Sequence, residues 1–512
     1  MTRKLDLGDI QGNILCDYGS SFPKGRYLFL NIPNPAAGRD FIDSVRGKVT
    51  TSISWDATEG YPSELMTTKP KVAINIAFTF AGLLALKLPT ATLGGMPFEF
   101  IDGMAKRAPI LGDIVESDPQ HWDPIWRNPD KDPRRVVHVM IALSAQMNNV
   151  DGTPVHELQD ETDWLIALCK KYGIVICQGH RPGNGAYQDA SLLLAPSANG
   201  VRPLPSEHFG FADGFGKATF EPMDPNEQAT GGGKLSGSGK WEPLATGEFL
   251  LGHTDEAQEI PAAASPRAFT RNGTFMVYRK LHQNVGSFNR YVAETAKTHA
   301  RIMGCTEEES RETIKAKMVG RWSNGVPLMA APTYREWKAF NARPDSAEKQ
   351  RAYVDFKYRD DPNGEKCPLT AHIRRTNTRD MLDPEKSSVL NNRRRLLRRG
   401  LPYGLSTPDD DAGEHGIIFM AICASLFRQF EFVQQQWLQY GLDAHAGNDT
   451  CPIVGHHDAN AKFVIPAAKE SGKPPFICSK LPPFVETRGG DYFFLPSLTA
   501  LRMIAMGTID PT

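Results

Sequence analysis

Apolar runs of strand length come in one order near the N-terminus and in a similar order near the C-terminus, and this doubling restricts the fold more than any other feature. In the first 200 residues the runs are "RYLFLNI" (26–32), "VAINIAFTF" (72–80), "VVHVMIAL" (136–143) and "GIVICQG" (173–179). They are rich in Val, Ile and Phe and bounded by Gly, Pro or charge, as strands are. Helix candidates lie between them: "AAGRDFIDSVRG" after the first, "AGLLALKL" after the second and "ELQDETDWLIALCKKYG" (157–173) after the third. The order strand, helix, strand, short helix, strand, helix, strand predicts a split βαβ, ferredoxin-like sandwich with helices packed on an antiparallel sheet.

The second half repeats the plan. "GTFMVYRKL" (273–281) is followed by the helix-like "NVGSFNRYVAETAKTHA", and "GIIFMAIC" (416–423) by "ASLFRQFEFVQQQWLQYG" (424–441), while "DYFFLPSL" (491–498) closes the sheet. Phe427, Phe430, Val433 and Trp437 recur at three- and four-residue steps and predict an amphipathic helix. The expected class is α+β, with two ferredoxin-like domains over residues 1–205 and 206–512, each an antiparallel β-sheet with packed helices. No repeat is visible at the level of residue identity. "LAPSANGVRPLPSE" (194–207) reads as a linker and "ATGGGKLSGSGKWEP" (229–243) as a flexible loop. The loop is not a phosphate-binding loop: Lys234 stands five residues before Gly239, and Trp241 follows Lys240 where Ser or Thr is needed.

Charge and length narrow the function. The 512 residues suffice for two or more domains, and 58 Lys+Arg against 59 Asp+Glu leave a net charge of −1. No whole-protein field draws in nucleic acid or an anionic membrane, so neither is an expected partner. The first residues, "MTRKLDLGDIQGNIL", show no signal-peptide pattern, and no apolar run approaches the roughly 20 residues of a membrane span. A cytoplasmic protein is expected. Eight scattered cysteines without a C-x-x-C pair argue against a disulfide framework, structural zinc or an iron–sulfur cluster.

Three stretches carry candidate chemistry. "HFGFADGFGKATF" (208–220) sets Asp213 among glycines and phenylalanines, either as a turn residue or as an acid in an apolar cleft, where desolvation raises a carboxyl towards the working pH. "CPLTAHIRRTNTRD" (367–380) places His372 among Arg374, Arg375 and Arg379. Arginines pair bidentately with carboxylates, and haem carries two, so an axial His flanked by Arg suits a haem b pocket. "NNRRRLLRRGLPYG" (391–404) has five arginines in seven residues, a solvated basic run unless its Gly/Pro turn holds an arginine in place. His456, His457 and Asp458 are consecutive and read as a loop, because adjacent residues point apart in regular structure. No G-x-S-x-G elbow supports a hydrolase.

Together with "DIQGNIL", "GEFLLGH" (247–253), "VGRWSNGVPL" (319–328) and "RQFEFVQQQW" (428–437), these stretches resemble the dye-decolourising peroxidase family of haem proteins, in that family's order over nearly the whole chain. Length and the missing signal are similar to its larger, intracellular bacterial type. The resemblance implies two ferredoxin-like halves in a dimeric α+β barrel-like arrangement, with one haem b held mainly by the C-terminal half. It implies a DyP-type peroxidase, an H2O2-dependent enzyme that oxidises bulky dyes, phenols or other aromatic reductants through a ferryl intermediate. A haem-binding, sensing or iron-handling protein with incidental peroxidase activity is the alternative, and a structural or cargo protein that lost haem a third. By the same resemblance His372 is the axial haem-iron ligand, Asp213 the distal acid, Arg398 the distal arginine and Arg379 the propionate-binding arginine. Many relatives carry an Asp just before I-x-R-Q-F, where this chain has Ala424-Ser425, which leaves the partner of His372 open. The physiological reductant, any surface Tyr or Trp relay and the oligomeric state are not legible.

Overall fold

The first strand, β1 (Lys24–Asn31), is buried along nearly its whole length, so both of its faces must be covered. The structure is a computed structural model and describes residues 5–55, 68–127, 132–183, 185–221, 229–382, 389–467 and 472–509. The sheet that covers β1 also contains β2 (Val72–Phe78), β3 (Val139–Ala145), β4 (Val175–Ile176), β5 (Gln188–Ser191), β6 (Thr274–Gln283), β7 (Leu397–Arg398), β8 (Leu401–Tyr403), β9 (Gly416–Cys423) and β10 (Val485–Leu495). Its order is β7-β9-β6-β10-β2-β3-β1-β4, with β8 also on β9 and β5 also on β1. Each half keeps the ferredoxin-like order: β4-β1-β3-β2 in the first and β10-β6-β9-β7 in the second, all antiparallel. The halves join where Phe494 pairs with Phe78, giving one sheet of ten strands in place of two separate ones.

Local sequence explains the helices on this sheet. In Pro35–Arg46 the Asn34 side chain accepts from the Ala36 and Ala37 N–H groups, Pro35 starts the helix, and Phe41, Ile42 and Val45 are buried. Glu157–Tyr172 stops at Gly173, whose φ of +66° suits glycine. These helices, with Leu498–Met506, pack on the sheet to form the largest core. A second cluster packs helix Val285–Met303, through Phe288 and Val292, on Phe209, Phe211, Trp437, Cys451 and Phe484. A third contains Trp322, Trp337, Phe356, Tyr358 and Ala371. Phe211 and Ala371 lead directly into the Asp213 and His372 segments, so two separate cores anchor the two sides of the candidate site.

Several segments depart from expectation. Residues 424–441 form two π-helical segments, Leu426–Glu431 and Val433–Leu438, in place of an α-helix. The wider turn rotates Phe427 out to 60% exposure and brings Gln429 and Glu431 inside. There Gln429 donates to the Glu248 and Arg395 carbonyls, and Glu431 pairs with Arg107 at 2.6 Å. The expected linker at 194–207 contains the hairpin Leu193–Ser197/Gly200–Leu204, in which Pro196 and Pro203 are tolerated because only one neighbouring strand needs their backbone. The expected loop at 229–243 contains a small hairpin, Lys234–Leu235 with Trp241–Glu242. The basic run at 393–399 is no solvated face: it leads into β7, and its arginines are individually engaged.

Candidate active site

The Asp213 segment is placed by backbone bonds. Ala212 N–H donates to the Ser323 carbonyl and Asp213 N–H to that of Pro205, both within 2.9 Å. Gly214 then takes φ +94°, a conformation that costs an L side chain, and its N–H caps Asp213 Oδ1 at 2.7 Å. Opposite, Arg398 sits on β7, paired with Ala421 of β9. Gly400 lets this strand lie close, since a Cβ there would stand 1.9 Å from the Ile418 carbonyl oxygen. The result is a bidentate ion pair: Arg398 Nη2 to Asp213 Oδ1 at 2.6 Å and Nη1 to Oδ2 at 3.0 Å.

About half of each of these side chains is accessible, 49% for Asp213 and 51% for Arg398. Surrounding protein nevertheless desolvates the Asp213 carboxyl strongly. Burial alone would raise Asp213, but the guanidinium of Arg398, its hydrogen bonds and the nearby His372 outweigh it and hold the carboxyl below its ordinary value. The expected upward shift is therefore corrected to a downward one, because the apolar cleft contains a cation.

His372 opens the helix His372–Thr376, just after Ala371 of the third core. It is the last of the named influences that lower the Asp213 carboxyl. Its Nδ1 lies 3.3 Å from the fully buried Cys451 Sγ. Burial raises that thiol, but His372 and Arg375 overcome it and bring it down to about 7. Ser425 takes a different role: its hydroxyl accepts from the Arg428 N–H as a cap. The arginines flanking His372 are corrected as well. Arg374 is spent on Asp361 and the Cys367 carbonyl, and Arg375 on the carbonyls of Thr370, Trp437, Tyr440 and Asp449, so both brace the helix.

A set of other arginines borders the same region. Arg379 lies on the Phe356 ring, and its Nη1 donates to the Val354 and Phe356 carbonyls. Its Nη2 reaches within 3.9 Å of the Cβ position at Gly216, close behind Asp213. Arg321 stands over Phe215, 5.1 Å from the ring centroid, and donates to the Gly325 and Tyr353 carbonyls. Arg395 donates to the carbonyls of Gly232 and Gly233. None of the three pairs with a carboxylate among the described residues, and all are buried. Burial, then Arg379 and Arg398, push Arg321 down to about 10, and burial with Arg379 pushes Arg395 to about 9.

Sequence reading brought together Asp213, Arg398, His372 and Arg379 but missed Arg321, Arg395 and Cys451. Arg321 lies inside "VGRWSNG" and Arg395 inside the basic run, yet nothing local distinguishes either one. Cys451 is 79 residues from His372, with no pattern linking them. Phe209 and Phe211 belong to the second core, while Phe215 stacks on Tyr353. His457 is turned inward between the Pro482 and Cys451 carbonyls, and no group of three metal-ligating side chains occurs among the described residues.

Residues 9–171 match the family model described as DyP dimeric alpha+beta barrel domain, and residues 253–470 match that described as Dyp-type peroxidase, C-terminal. "Peroxidase 2" of Mycetinis scorodonius is 28% identical, covering 97% of this chain and 87% of its own. "Dye-decolorizing peroxidase" of Mycena epipterygia is 27% identical, covering 98% and 87%. "Multifunctional dye peroxidase DyP2" of an Amycolatopsis species is 32% identical but covers 58% of this chain and 61% of its own. Among solved structures, a dye-decolorizing peroxidase in complex with 2,6-dimethoxyphenol covers 98% of this chain and 100% of its own, with TM-score 0.71 and 23% identity, a likeness of fold. The expected larger, intracellular bacterial type is not borne out: the relatives matched along nearly the whole chain are fungal.

Proposed function

We propose, for a chain that belongs to the dye-decolorizing peroxidase family and is a peroxidase, that Asp213, Arg398 and His372 form a single haem-dependent centre acting on hydrogen peroxide. The observation that carries this reading is the bidentate Asp213–Arg398 pair, with the His372 imidazole among the groups that lower the Asp213 carboxyl. Members of the family are haem enzymes, and the residues present fit the group. Three buried guanidiniums whose partners are backbone carbonyls suit the two propionates of haem b, with Arg379 as the first of them and Arg321 and Arg395 beside it. His372 supplies the imidazole nitrogen for the iron. The haem-binding part is the segment after residue 205, to which all these residues belong.

Bound haem supplies the redox-active iron on which the O–O bond is broken. The chain's own task is proton and charge handling. Peroxide must lose a proton from one oxygen and gain one on the oxygen that leaves as water. The Asp213 carboxylate, held ionised by Arg398, takes that proton and returns it. Its depressed basicity favours the return. Arg398 cannot serve as a base; it stabilises negative charge on the departing oxygen and orients the peroxide. The electrons come from aromatic reductants such as dyes and phenols, a class supported by the 2,6-dimethoxyphenol complex of a structural neighbour. A cytoplasmic location belongs to the same proposal and rests on eight cysteines, all of them free thiols.

The test is H2O2-driven oxidation of 2,6-dimethoxyphenol by the haem-loaded protein and its Asp213→Asn variant. Loss of a positioned proton acceptor should lower turnover by about a hundred- to ten-thousandfold. An Asp213→Asn variant that turns over at the wild-type rate would remove Asp213 from the centre.

A further inference from the structure

The segment that carries Cys451 is fastened to the His372 helix by Arg375 and held in the second core by bonds of its own. Arg375, three residues after His372, donates to the carbonyls of Trp437 and Tyr440, and to that of Asp449 two residues before Cys451. Cys451 N–H donates to the Leu438 carbonyl at 2.7 Å. His457 Nε2 meets the Cys451 carbonyl at 2.9 Å, while its Nδ1 meets that of Pro482. The sulfur is fully buried in the second core and points at His372 Nδ1 from 3.3 Å. Ser425, at the start of the π-helical segment Leu426–Glu431, is used as a helix cap.

We propose that Cys451 is the positioning residue of the haem-ligand side: its sulfur accepts the His372 Nδ1–H hydrogen bond, fixing the tautomer in which Nε2 is free to bind iron. This rests on the reading of His372 as the haem ligand. A ligating imidazole ordinarily donates its second N–H to a carboxylate, carbonyl or water, and that bond sets ring orientation and basicity. Sulfur is a weaker acceptor than a carboxylate, so the imidazole here is less electron-rich than one held by Asp. Arg375 and the surrounding core brace the segment, and the Val454 backbone N–H is a second polar neighbour of the sulfur.

The experiment uses the haem-loaded protein with Cys451→Ala and Cys451→Ser, reading the iron–imidazole stretching band by resonance Raman and haem transfer to an acceptor globin. Cys451→Ala removes the acceptor, so the band moves to lower frequency and haem leaves about tenfold faster. Cys451→Ser keeps an acceptor and offers a stronger one, so its band lies above the wild-type position. A purely packing role would leave the band in place in both variants, and that result overturns the inference. If Cys451→Ala does not retain haem, Cys451→Ser against wild type decides, an unmoved band again overturning it. A wild-type protein without an imidazole-ligated haem spectrum would overturn the haem reading itself, whereas a normal wild-type spectrum with unmoved variants removes only Cys451.

Discussion

At Asp213 two opposing influences act on one carboxyl, and their balance fixes the pH behaviour. Burial favours the neutral acid, while Arg398 favours the anion and wins. Because the folded value lies below the ordinary Asp value of about 3.9, the stability gained from the pair is fully present above that pH and lost as pH falls through the folded value. Turnover that depends on this carboxylate should therefore persist in acid, its acidic limb lying below the ordinary carboxylate range. Arg398→Leu removes the largest of the influences that oppose burial, so the carboxyl rises and the acidic limb moves to higher pH. A pH–rate profile of kcat/KM for both proteins checks this, and an unshifted limb in the variant would contradict the assigned balance. The position of Asp213 could be read from its glycine-rich frame, but the direction of its shift could not, since that depends on an arginine 185 residues away.

Among the elements, residues 424–441 show most clearly where local pattern stops being informative. Three- and four-residue apolar steps predict an α-helix, yet burying Gln429 and Glu431 requires the wider π turn. Their partners, Glu248 and Arg107, come from distant segments that no periodicity reveals. Ser425 starts this element, and Ser425→Ala should cost about 1 kcal/mol of stability through the lost cap. It should leave the haem spectrum unchanged. Chemical denaturation together with the absorption spectrum tests both points, and a shifted spectrum would return Ser425 to the ligand's surroundings. Strands β7 and β8 were equally hidden, because five arginines and a Gly-Leu-Pro turn read as surface until β9 pairs with them.

Over the whole molecule, the two halves were each legible, and their fusion was not. A single facing pair, Phe494 with Phe78, joins the sheets, and either strand alone reads as ordinary. The stitching is carried by stretches that marked the family resemblance. In "DIQGNIL", Gln11 donates to the Ile76 and Pro496 carbonyls, and Arg399 of the basic run donates to those of Asn13 and Ile14. A buried ion pair adds to this, with Lys280 Nζ of β6 2.7 Å from Asp123 Oδ2 of the first half. Asp123→Ala leaves that ammonium with the Arg181 carbonyl at 2.9 Å and the partly exposed Glu414 at 3.3 Å, and should destabilise the protein by about 3–5 kcal/mol. A denaturant midpoint equal to wild type would mean that the halves do not depend on this pair.

The central claim is that His372 holds haem opposite the Asp213–Arg398 pair. The most direct measurement is the absorption spectrum of the haem-loaded wild type and its His372→Ala variant, before and after rapid mixing with H2O2. Wild type should show a Soret band of imidazole-ligated ferric haem that changes within milliseconds of mixing, while the variant loses haem or shows a band without imidazole ligation. An unchanged Soret band in His372→Ala, responding to peroxide as wild type does, would contradict the account.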